Sequence, residues 1–126
     1  VQKSSKIVKP KDILKLFEKE RIDKNHYNII LFINSKNELI SVHKQIIINE
    51  INFDISNIFK SAFYLAANNI LLVRISNNKK TVLPNNQEKQ RAKKINNIAK
   101  NFDIRLIDIL IINQKNYYSF HESKTL

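Results

Sequence analysis

Not one of the 126 residues is glycine. Glycine has no Cβ, so a backbone that must pass through positive φ normally uses it. In this chain every such position falls to a residue with a side chain, and asparagine tolerates the left-handed region best. Asparagine is therefore expected to mark the turns. It recurs in pairs: "NSKN" at Asn34–Asn37, "NN" at Asn77–Asn78, "NN" at Asn85–Asn86 and "NQKN" at Asn113–Asn116. The same absence excludes a glycine-rich phosphate loop.

Between these marks the apolar spacing assigns elements. Pro10 suits the first turn of a helix over Lys11 to Glu20, with Ile13, Leu14, Leu16 and Phe17 as its apolar stripe. "HYNIILFI" (His26 to Ile33) reads as an internal strand, and "ELISVH" (Glu38–His43) as its hairpin partner across "NSKN". "QIIINEI" (Gln45–Ile51) reads as a further β segment. From Asp54, an N-cap residue, the period changes: Ile55, Ile58, Phe59, Ala62, Leu65 and Ala66 share a helical face. The small residues Ala62, Ala66 and Ala67 would let this helix lie close on a sheet. Ile70–Ile75 follows as a buried strand. "EKQRAKKINNIAKNF" (Glu88–Phe102) is a helix with Ala92, Ile95, Ala99 and Phe102 facing inward and Lys89, Arg91, Lys93, Lys94 and Lys100 facing out. "IRLIDILII" (Ile104–Ile112) is a strand paired with "YYSF" (Tyr117–Phe120). The expected architecture is mixed α/β, a largely antiparallel sheet sandwiched by helices, in one domain over residues 1–126 with 1–9 as a flexible arm.

Several chemistries are excluded at once. Cysteine is absent, so there is no disulfide, no thiolate nucleophile and no cysteine-based zinc or iron–sulfur site. No apolar run approaches the ~20 residues of a membrane span, and the basic start lacks the continuous apolar core of a signal peptide. A cytoplasmic location is expected, with a removed leader left open. The formal net charge is +11, which attracts nucleic acid or anionic surfaces through phosphate contacts. Codon drift in an AT-rich genome would raise Lys, Asn and Ile in the same way, so both explanations stand.

No catalytic motif announces itself. His26, His43 and His121 form no H-x-H or HExxH spacing, and His26 and His121 are expected at the solvent. The serines have no neighbouring base in sequence. Asp108, a charge inside an apolar strand, is read as a structural carboxylate rather than an acid catalyst. Tyr117 and Tyr118 could stack on bases, though strand alternation would turn one of them into the core.

In order and spacing these pieces resemble the JAB (MPN-type, cytidine-deaminase-like) domain of the RadC family. "KPKDILKLF" is similar to its opening helix, and "HYNIILFINSKNELI" to its first hairpin. "FDISNIFKSAFYLAANNILLV" is similar to its Ala-rich helix and central strand, and "FDIRLIDILIINQKNYYSF" to its closing hairpin. The resemblance implies a zinc site just past the central strand. The family pattern there is His-x-His-Pro-Ser, a loop, then Ser-x-x-Asp opening the next helix. Two His and the Asp hold the metal, which lowers the pKa of a bound water. A Glu on an earlier strand serves as general base and the Ser supports the developing oxyanion.

Laid on that pattern, Arg74 stands at the first His and Ser76 at the second, followed by Asn77-Asn78. Asn85 stands at the later Ser, Glu88 at the Asp, and His43 near the general-base Glu; Asp108-Ile109 replaces Asp-His in the closing strand. Arginine has no lone pair to give a metal and would repel a cation. The expectation is therefore a degenerate zinc site, metal-free, with Arg74 supplying the positive charge and pairing with Glu88 or Asp108. A rescue site from His43, Glu88 and Ser76 is the alternative. The implied function is a catalytically inactive scaffold or binding domain with a DNA-repair connection. Nucleic acid is the first partner to test, through Arg74, Lys79, Lys80, Lys89, Arg91, Lys93 and Lys94. A metallopeptidase-like hydrolase with substituted ligands, or a protein-interaction subunit, are the other classes; oligomeric state is open.

Overall fold

The computed structural model describes residues 9–23, 25–47, 53–77 and 81–126. Among these the chain runs α1 (Pro10–Leu16), α2 (Glu18–Ile22), β1 (His26–Ile33), β2 (Leu39–Ile47), α3 (Ile55–Tyr64), β3 (Asn69–Ser76), α4 (Asn86–Asn101), β4 (Arg105–Ile112) and β5 (Tyr117–Ser119). The five strands form one sheet in the order β2-β1-β3-β4-β5. β1 pairs antiparallel with both β2 and β3, and β4 with β5; β3 and β4 are parallel, joined by the α4 crossover. The sheet is thus largely antiparallel, as the sequence pattern predicts.

β3 is the middle strand and all eight of its residues are buried. Its side chains alternate between two cores, as a strand's must. Ile70 and Leu72 point to the face covered by Ile58, Phe59 and Ala62 of α3 and by Ala92, Ile95 and Ala99 of α4. Leu71, Val73 and Ile75 point to the opposite face, where Ile13 of α1 and Phe17 pack. Helices on both faces explain why β1 and β3 read as continuous apolar runs rather than alternating ones.

Four details differ from the sequence-based expectation. The first helix is two pieces, because buried Phe17 leaves the helical conformation (φ −115°, ψ 32°) and ends α1 while opening α2. "ELISVH" and the start of "QIIINEI" are one strand, β2, to Ile47; residues 48–51 lie outside the described residues, as do residues 1–8 of the expected arm. Phe102 is half exposed at the end of α4, its ring against Phe63 at 5.0 Å, rather than turned into the core. Asparagine marks the turns chiefly by a route other than positive φ, which among the described asparagines only Asn37 adopts. Among the described residues positive φ falls at Asn37, Ala66, Asp103 and Lys124. The Asn34 and Asn113 side chains instead accept backbone N–H groups two to four residues on: Lys36 and Glu38 for Asn34, Lys115 and Asn116 for Asn113. A short amide that imitates a backbone carbonyl closes a turn without a left-handed residue.

Ala66 and Asp103 occupy the position that ends α3 and α4, respectively. In both, the next residue's N–H reaches back to the last helical turn, Ala67 to the Ala62 carbonyl and Ile104 to the Ala99 carbonyl, each 2.9 Å. This is the Schellman arrangement, in which glycine is the favoured left-handed residue. An alanine there carries a Cβ penalty of about 1–2 kcal/mol, partly offset by the extra freedom glycine brings to the unfolded chain. Ala66→Gly should therefore raise stability by about 0.5–1 kcal/mol, read as a higher urea midpoint at unchanged slope. A lower midpoint would mean that the left-handed turn is not held.

Candidate functional site

Because β3 and β4 are parallel, α4 must run back along the sheet, and its first turn lies over the carboxyl end of β3. Ligand sites in α/β sheets gather at such ends. Arg74 and Ser76, two residues apart on β3, share the face that α3 and α4 cover. Asn28 of β1 stands directly across from Arg74, and Ile111 of β4 on its other side.

The start of α4 carries the partner. Asn85 is the N-cap: its side chain accepts the Glu88 N–H at 2.8 Å, and Glu88 Oε1 accepts the Asn85 N–H at 3.0 Å. This reciprocal capping box satisfies two of the helix's orphan donors. The other carboxylate oxygen, Oε2, accepts a hydrogen bond from Arg74 Nη1 and completes an ion pair. Both side chains are about nine-tenths buried. Burial pushes the Arg74 guanidinium below its ordinary range while the Glu88 charge pulls it back up. Arginine starts high enough to stay protonated at neutral pH.

One turn further along α4, Arg91 is half-buried. Its Nη2 donates to the carbonyl of Phe53, just ahead of α3. Arg74, Glu88 and Arg91 line one narrow cleft with Phe53, Ile95 and Phe120, and its free space is ≈ 20 Å³. That is room for one water or one small ion, not for a metal-bound water and a substrate.

The other sequence-selected positions sit elsewhere. Asp108 is on the opposite face of the sheet: it alternates with Leu110 and Ile112 and lies three residues before Ile111, the residue registered with Arg74. There it accepts hydrogen bonds from Ser119 Oγ (2.5 Å), the His121 N–H (2.9 Å) and the Ile109 N–H (2.7 Å). It is a buried structural carboxylate and does not pair with Arg74. His43, exposed on the edge strand, rests edge-on against Phe32 with ring centroids 4.7 Å apart. It lines a neighbouring cleft with Asn28 and Asp54 rather than the Arg74 cleft. Ser76 is buried, and its hydroxyl has no hydrogen-bond partner among the described residues. Asn77 ties the end of β3 to the segment before β1, its Nδ2 donating to the Glu20 and Asp23 carbonyls at 2.7 and 2.8 Å. His26 is half-buried at the start of β1, not solvent-exposed, while His121 is exposed.

Among the described residues no three His, Asp or Glu side chains approach closely enough to hold a metal ion. The donor set at the β3 end does not fit zinc: a guanidinium fills the first ligand position and both oxygens of Glu88 are engaged.

Of the basic positions selected for nucleic acid, Lys89, Lys93 and Lys94 are exposed on α4. Arg74 is buried and ion-paired, so it cannot reach a phosphate, and Arg91 is committed to the Phe53 carbonyl. Lys79 and Lys80 lie outside the described residues, as does Asn78. Tyr117 and Tyr118 are half-buried on opposite faces, their hydroxyls bonded to Glu122 and to Thr125. The exposed rings that sequence periodicity missed are Phe63, Tyr64 and Phe102. They lie at helix ends, where a helical stripe stops predicting burial.

A five-stranded mixed sheet with helices on both faces is consistent with a JAB-type α/β domain. The chain belongs to the RadC-like JAB domain family, whose sequence model matches residues 7–125. No curated protein matches it. No helix among the described residues is long and apolar enough to cross a membrane.

Removing one member of a buried ion pair strands the other charge. Arg74→Met should cost about 3–5 kcal/mol in urea unfolding. Adding Glu88→Gln, which keeps the capping box but removes the stranded charge, should restore a large part of that loss. Equal losses in the single and double variants would show the pair to be uncoupled.

Asp108 gives a pH test. Burial raises its carboxyl above the ordinary range, and the three hydrogen bonds oppose that rise. A carboxyl raised by folding holds its proton more tightly when folded. Its contribution to stability therefore grows as pH falls through the raised pKa, and it levels off below the unfolded value. Between pH 7 and about 4 the wild type should gain stability relative to Asp108→Asn, measured as the difference in urea midpoints. A widening gap in the opposite sense would reverse the sign of the shift.

Proposed function

We propose that this RadC-like JAB domain is a catalytically inactive binding module in which an ion pair stands where relatives of the resembled pattern hold zinc. The observation that carries it is the Arg74–Glu88 pair. The guanidinium sits at the first histidine position, and its partner is the carboxylate at the aspartate position. Zinc catalysis needs an open coordination position for water, and a permanent cation in that place leaves neither ligand nor room. The pocket keeps its shape because the charge a metal would bring is supplied covalently by Arg74.

Nucleic acid is the partner favoured by the charge. The formal net charge of +11 and the exposed Lys89, Lys93 and Lys94 along one helix supply sequence-independent phosphate contacts. A role beside DNA repair is the finer form of the same proposal.

Elemental analysis of the purified protein should find zinc far below one ion per chain. Stoichiometric zinc that disappears in Glu88→Ala would favour the hydrolase instead. Oligonucleotide binding followed by anisotropy should weaken steeply between ~50 and ~200 mM salt. Lys93→Glu with Lys94→Glu should reduce the log–log slope by about 2. A flat salt response would leave a protein partner, with the basic charge as genomic drift.

A further inference from the structure

We propose that the cleft beside Arg74 is a binding site for a small monovalent anion of chloride size, an inversion of the charge preference of the metal site it resembles. Two guanidinium groups, Arg74 and Arg91, line it against one carboxylate, Glu88, so the site carries a surplus positive charge. The remaining lining is apolar, with Phe53, Ile95 and Phe120 among it. An uncompensated charge in such surroundings is costly, and a counter-ion relieves it more fully than a neutral water does.

The donors are already in place. Arg74 Nη1 is spent on Glu88 and Arg91 Nη2 on the Phe53 carbonyl. The Nε–H groups of both arginines are buried and have no hydrogen-bond partner among the described residues. Arg74 itself is 6% exposed. Buried donors left unsatisfied are rare, and these two belong to residues that line the same cleft, where one acceptor would serve both. Glu88 is not that acceptor: it accepts the Asn85 N–H and Arg74 Nη1, and neither Nε–H reaches it.

Size and charge select the ligand class. Free space of ≈ 20 Å³ suits a monatomic ion better than phosphate, sulfate or a substrate carboxylate with its chain. A divalent cation would meet two fixed positive charges. A halide accepts N–H hydrogen bonds from any direction, which suits two donors on different elements, β3 and α4.

The inference rests on the cleft being free of a divalent metal, and the two can fail separately: elemental analysis tests the metal, halide titration of the metal-free protein tests the anion. Thermal unfolding would be followed while sodium chloride or bromide replaces sodium gluconate at constant ionic strength. A saturable rise of roughly 4–7 °C is expected once halide exceeds its dissociation constant about tenfold. Arg91→Lys keeps the charge but removes the Nε–H donor. It should fold with a similar midpoint in gluconate and lose the halide-specific rise. Midpoints that are the same in halide and gluconate would overturn the site, leaving a water there. An undiminished rise in Arg91→Lys would overturn it as well, by placing the halide elsewhere.

Discussion

The ion pair between Arg74 and Glu88 joins the middle strand to the start of the helix that crosses over it. Glu88 closes the helix cap with one oxygen and holds the strand with the other, so helix start and strand end are set relative to each other by a single carboxylate. The parallel β3–β4 pairing requires α4 to begin at this point, and the apolar stripe Ala92, Ile95 and Ala99 then seats the rest of the helix on the sheet.

That geometry gives the substitution pattern a physical meaning. In the reading proposed above, arginine with glutamate neutralises charge at the buried end of the central strand as histidine and aspartate around a zinc ion would. Lone buried charge is not tolerated in either. Changing one partner alone would be costly, which ties Arg74 and Glu88 together as a unit. The surface lysines of α4 lie outside this unit and are free to change with partner or genome composition.

Much of the fold was legible because burial on two faces writes itself into the chain as continuous apolar strands and helices with a clean stripe. Ile70–Ile75 and the Ala92, Ile95, Ala99 stripe are examples. Less was legible where local rules compete with packing. Phe17 breaks a helix whose stripe continues through it, because its ring is held by the sheet. Ala66 and Asp103 take left-handed positions that propensity would give to asparagine, because a helix end needs the backbone turn whatever residue stands there. Asparagine takes one such position, Asn37, and otherwise closes turns with its side chain.

For the site, the spacing Arg74-x-Ser76 on a strand already places both side chains on one face, and Asn85-x-x-Glu88 already spells a capping box. Which carboxylate would meet the guanidinium was not in the spacing. Asp108 alternates with Leu110 and Ile112 and so faces away from Arg74, but that follows only from the register of Arg74 with Ile111, which the sheet pairing sets. Nor could sequence show that Arg91 would bend to the Phe53 carbonyl and share a cleft with Arg74, since those residues meet only after α3 and α4 pack on the same face. Periodicity is a property of one element and survives in the linear chain. The pairing of buried charges is a property of two elements in register, and exists only once the sheet has chosen its order.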